Sequence, residues 1–74
     1  MRTVHTMPYT QKLTPREREI VRGITRGHSN REIASELGIS EQTVKNQLTV
    51  VFQKLHIKNR LELAVYAMRH GLHH

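Results

Sequence analysis

Gln42, Lys45, Asn46 and Thr49 are the residues whose types and spacing best suit a definite chemistry. Read on a helix over residues 40–55, these two amides, a hydroxyl and a flanking lysine lie away from an apolar stripe. That stripe is Val44, Leu48, Val51 and Leu55, at i, i+4, i+7 and i+11. The polar set neither fills a core nor simply solvates a surface with charge. A helix anchored by one face and presenting such groups on the other can read base edges in a DNA groove. Lys45 can donate to guanine O6 or N7, and Asn46 or Gln47 can pair with adenine N6 and N7.

Other chemistries find little footing. All acidic residues are glutamates, and the chain has neither Asp nor Cys. Most catalytic triads, carboxylate dyads and thiolate metal sites are thereby removed, as is a phosphoacceptor aspartate. His5, His28, His56, His70, His73 and His74 are scattered, with no H-x-x-x-H pair on a helix face. No catalytic residues, functional metal site or cofactor are expected, and an enzyme is the least supported class. Only three aromatics, Tyr9, Phe52 and Tyr66, are present, which argues against single-strand binding by base stacking.

The elements that must position these groups belong to one small domain of 74 residues. A chain of this size buries only about 60% of its unfolded surface, so its stability should be modest. A formal net charge of +6 and a pI near 10.6 favour a polyanionic partner. No apolar run approaches the ~20 residues of a membrane span, and no signal-peptide core is visible. A cytoplasmic protein with no membrane partner is expected.

Residues 1–12 lack periodicity and contain Pro8; they read as a flexible arm or linker, with Arg2 and Lys12 within reach of phosphates. A first helix starts at Thr14 as N-cap, with Pro15 at the first helical position and Glu17 completing a capping box. Its buried stripe is Ile20, Val21 and Ile24, with Leu13 packing before it, and Gly27 ends it. Ser29 and Glu32 open a second helix with Ile33, Ala34 and Leu37 inward, and Gly38 stops it. Two capped helices joined by a tight turn of Gly38, Ile39 and Ser40 form a helix-turn-helix pattern. Ser40 caps the third helix, running to about Leu55, and Asn59 with Glu62 opens a fourth, ending near Gly71. This fourth helix has more apolar residues than one face needs. Leu63, Ala64 and Ala67 can face the core, which leaves Leu61, Val65 and Met68 as an outward stripe. That stripe suits either a partner helix or a loosely covered core edge. The fold class is all-α, a compact four-helix bundle over residues 13–72 with a tail at 73–74.

The run from Leu13 to Leu72 resembles the LuxR-type (NarL/FixJ/GerE) helix-turn-helix domain of bacterial transcriptional regulators. The resemblance is carried by Leu13-Thr14-Pro15-Arg16-Glu17, Ser29-Asn30-Arg31-Glu32-Ile33-Ala34, Ile39-Ser40 with Thr43-Val44-Lys45, and Lys54-Leu55, Asn59-Arg60 and Ala64. It implies a domain that usually follows a receiver or ligand-sensing domain, with the third helix in the major groove of double-stranded DNA. By matching position it implies base-edge contacts from Lys45, Asn46 and Thr49. Backbone contacts fall to Asn30, Arg31, Gln42, Thr43, Lys54 and Lys58. It also places Leu61 and Val65 at a dimer contact on the fourth helix, a stripe that Met68 extends, giving a homodimer on two half-sites. RNA polymerase is a further candidate partner of such a regulator. Gln47 stands where the family often has His. Val50 is apolar where a polar group is more usual, and can touch a thymine methyl or a sugar or simply sit exposed. Two rivals stay open: a sigma-factor-like promoter-reading domain, and a protein-interaction module working through the fourth-helix stripe.

Overall fold

A side chain that satisfies free backbone N–H groups opens each helix of this computed structural model, which describes residues 13–72. The expected arm (1–12) and tail (73–74), with His5, His73 and His74, lie outside the described residues. Thr14 accepts from the Glu17 N–H at 3.1 Å while the Glu17 carboxylate accepts from the Thr14 N–H at 2.9 Å. This reciprocal box starts α1, Pro15–Thr25. Ser29 and Glu32 make the same box at α2, Asn30–Leu37. Ser40 caps α3, Glu41–Leu55, through the Thr43 N–H at 3.0 Å. Asn59 caps α4, Arg60–Arg69, through the Glu62 N–H at 2.9 Å. Here the expected box is displaced by one residue: Glu62 reaches back to the Lys58 N–H, at 2.9 Å, rather than to that of Asn59.

The helix ends share one geometry. Gly27, Gly38, His56 and Gly71 all have left-handed backbone, and the residue after each donates its N–H back to a carbonyl five residues earlier. Those four bonds run His28 to Gly23, Ile39 to Ala34, Ile57 to Phe52 and Leu72 to Ala67, at 2.7–3.0 Å. Ile39, Ile57 and Leu72 also press their side chains onto the core, so each stop signal doubles as a corner plug. His56 is the non-glycine member, at φ 57°.

The core follows the expected stripes except that Leu37 and Ala64 are only partly buried against it and Leu72 joins it. Leu13, Ile20, Val21, Ile24, Ile33, Ala34, Val44, Leu48, Val51, Leu55, Leu63, Ala67 and Leu72 are all buried. α4 packs on α1 and α3 packs on α2 and α1, so α3 is braced by its apolar face from two directions. Gly23 brings the α1 backbone close to α2: a Cβ there would lie 2.6 Å from Ile33 Cγ1. No helix among the described residues is long and apolar enough to cross a membrane.

Candidate nucleic-acid interface

Burial of Val44, Leu48, Val51 and Leu55 decides what α3 can show to a partner. With about 100° between successive residues, the side opposite that stripe carries Gln42, Asn46, Thr49, Val50 and Gln53, and all five are exposed. Lys45 is exposed on the flank. The Gln42 amide nitrogen donates to Asn46 Oδ1 at 3.0 Å, one turn along. That bond leaves the Asn46 NH2 facing away from Gln42 as a donor. The Thr49 hydroxyl donates to the Lys45 carbonyl at 3.1 Å, within the helix. Its single proton is thus committed, and toward a base this hydroxyl can only accept. Gln53 belongs to the same outward side and escaped the sequence reading, because it lies one turn past the motif that draws attention to residues 42–49.

The other base-edge candidate sits differently. Gln47 is half-buried, and its Oε1 is enclosed without a hydrogen-bond partner. It flanks the core stripe rather than the outward row.

Among the expected backbone-contacting residues, Arg31, Gln42 and Lys58 are exposed and Asn30 and Thr43 half-exposed. Asn30 is held from α4: Arg60 Nη1 donates to Asn30 Oδ1 at 2.8 Å, and Arg60 Nη2 donates to the His28 carbonyl. The same guanidinium therefore fixes the amino end of α2 and turns the Asn30 NH2 outward. Arg60, Asn30, Arg31, Glu32 and Glu41 line a shallow notch at that helix end, where the helix dipole attracts an anion against two carboxylates. Arg60 was visible in sequence as part of a motif, but a contact across 30 positions gives no local signal.

Lys54 also has a partner inside the fold. Its ammonium donates to Glu17 Oε1 at 2.8 Å, and the pair lies between α3 and α1 with side chains 29% and 8% exposed. Burial alone would raise the Glu17 pKa. The Lys54 hydrogen bond and charge, with the Thr14 N–H, outweigh it and hold the carboxyl below its ordinary 4.5. Glu32 is also lowered, first by the Ser29 backbone N–H it accepts from. Lys54 is thus a tie between helices, and the exposed lysine at this end of α3 is Lys58.

On α4, Leu61, Val65 and Met68 are 74%, 42% and 60% exposed. They form the outward stripe of α4, with Ile57, Tyr66 and His70 along its margin. The Tyr66 and His70 rings stack with centroids 4.1 Å apart. Ala64 is partly buried against the core, so Leu63 and Ala67 alone of this helix are fully enclosed.

Comparison with known proteins gives this geometry a setting. Residues 11–67 match the sequence profile of the bacterial regulatory proteins of the luxR family. The response regulator protein VraR of Staphylococcus aureus (strain NCTC 8325 / PS 47) is 40% identical over 62 residues, 84% of this chain. The protein of the same name from Staphylococcus epidermidis (strain ATCC 35984 / DSM 28319 / BCRC 17069 / CCUG 31568 / BM 3577 / RP62A) matches to the same extent. In each case the aligned part is 30% of the relative's length. A solved structure of the transcription factor GerE superposes with a TM-score of 0.75 at 38% identity, covering 81% of this chain and 90% of that one.

Proposed function

The chain belongs to the luxR family of bacterial regulatory proteins, a family of helix-turn-helix DNA-binding domains, and from that premise we propose that α3 is its recognition helix in the major groove. The observation that carries this reading is the two-sidedness of α3: four aliphatic residues buried, with Lys45, Asn46 and Thr49 exposed away from them. Lys45 donates to a guanine, and Asn46, braced by Gln42, offers its amide to an adenine. Thr49 accepts from an exocyclic amine. Asn30, Arg31, Gln42, Thr43 and Lys58 hold phosphates and set the register, while the amino ends of α2 and α3 add N–H donors. Gln47, with its oxygen enclosed, and Lys54, paired with Glu17, take lesser parts in this scheme.

Two copies meet on DNA through Leu61, Val65 and Met68 of α4, each copy reading one half-site about one helical turn from the other. The VraR relatives support a place at the effector end of a longer cytoplasmic response regulator, with RNA polymerase as a further partner. A small stand-alone regulator is the alternative arrangement. A four-helix match to GerE over most of both chains leaves the sigma-factor-like alternative without a distinguishing feature in its favour.

The test is selection of bound duplexes from a random pool, followed by binding of the selected half-site to Lys45→Ala. An exposed lysine contributes nothing to the core, so this variant should melt like the parent. It should lose sequence preference by about 1–3 kcal/mol, roughly 5- to 150-fold. A variant that keeps full preference for the selected site would refute the assignment.

A further inference from the structure

We infer that Val50 is a specificity residue of α3 that reads the 5-methyl group of a thymine; the inference rests on α3 being the recognition helix. Val50 is 40% exposed and is the sole large exposed hydrophobic among the described residues outside α4. It lies one turn beyond Asn46, roughly 40° around the helix from it, within the outward set that also holds Thr49 and Gln53. It lies outside the inward stripe, which Val44, Leu48, Val51 and Leu55 already fill. A β-branched residue on an exposed helix position is also a poorer helix former than Ala.

Its neighbours explain what an apolar group would do at that position. Thr49 donates its hydroxyl hydrogen to the Lys45 carbonyl, so in this arrangement it accepts rather than donates toward a base. Asn46, with Oδ1 already engaged by Gln42, presents its NH2 first. The Val50 side chain has no polar atom, and in the major groove the feature such a side chain can recognise is the thymine methyl. Val50 lies four residues, about 6 Å of helix rise, beyond Asn46, so the thymine neighbours the base that Asn46 contacts.

Deoxyuridine tests this directly, because it removes the methyl and keeps the base pair. Each thymine of the half-site selected from the random pool is replaced in turn, and binding of the full chain is followed by fluorescence anisotropy. Unmodified protein should lose about fourfold at one such position, the equivalent of ~0.8 kcal/mol for one buried CH2-sized group. Val50→Ala should bind the thymine duplex about as weakly as the parent binds the uracil duplex, and should not distinguish the two. Asn46→Ala should weaken binding to both duplexes and preserve their ratio. Circular dichroism should show an unchanged helical spectrum for both variants. A selected site with no methyl-sensitive thymine, or methyl sensitivity that persists in Val50→Ala, overturns the assignment of Val50 alone. A pool that yields no enriched duplex overturns it together with the reading of α3.

Discussion

Glu17 shows how one side chain can join a local signal to a distant one. Its carboxylate closes the α1 capping box and also accepts from Lys54, 37 residues later. Its lowered pKa fixes the sign of a pH effect. A depressed acid contributes its stabilisation fully above the unfolded value near 4.5 and loses it as pH falls through the lower folded value. Glu17→Gln keeps an oxygen for the Thr14 N–H but removes the charge. It should cost about 1–2 kcal/mol at pH 7, lowering Tm by several degrees. The difference from the parent should shrink steadily below pH 4.5, which thermal melts across pH 3–7 would follow. A difference that stays constant down to pH 3 would show that the pair is not the source. The capping role was legible because it needs only three residues of sequence. The ion pair was not, because a lysine in the last turn of a helix serves a phosphate, a helix dipole or a buried carboxylate equally well on paper. Arg60 is the same case: its motif stood out, its grip on Asn30 and His28 did not.

At the level of helices, starts and stops were legible to within a residue or two, because they are written locally as capping side chains and left-handed residues. The exceptions have local explanations of their own. Glu62 caps one residue upstream of its expected partner because Asn59, at φ −152°, is fully extended and brings the Lys58 N–H within reach. His56 fills a left-handed position where the other three helices use glycine, so composition alone did not flag it. Gly23 was missed for the opposite reason. Nothing about a glycine in mid-helix tells which neighbour it admits, and the neighbour is Ile33, itself almost fully enclosed. Helix propensity would make Gly23→Ala stabilising by about 1 kcal/mol. Ile33 Cγ1 at 2.6 Å from the added Cβ is a branch of a core side chain that cannot swing aside, so α1 and α2 must separate. Overpacking of this kind costs about 1–3 kcal/mol, and a lower Tm is expected in spite of the better helix former. A raised Tm would mean that the two helices part more easily than their packing implies.

For the whole molecule, the charge of +6 and the exposed apolar stripe on α4 bear on the same process. The charge was legible from composition, and so was the stripe, since α4 holds more aliphatics than Leu63 and Ala67 can use inside. What covers the stripe was legible only through the family resemblance, because an exposed apolar face does not itself name its partner. A single domain of this size makes few phosphate contacts, so one copy binds weakly and loses affinity with log[salt] at a slope of about −0.9 per phosphate. In the proposed dimer, two copies joined through α4 would double that slope and make binding cooperative on paired half-sites. Leu61→Glu tests the joining without disturbing the fold, since Leu61 is 74% exposed and its loss leaves no cavity. On a duplex with one half-site the variant should bind as the parent does, apart from a small uniform loss from its added negative charge. On a duplex with two half-sites the parent should bind cooperatively with twice the salt slope, and the variant should lose the cooperativity. The single-site duplex corrects for the charge change, so the comparison isolates the α4 contact. Cooperativity that survives Leu61→Glu would move the dimer contact off this stripe and leave Leu61, Val65 and Met68 for a different protein partner.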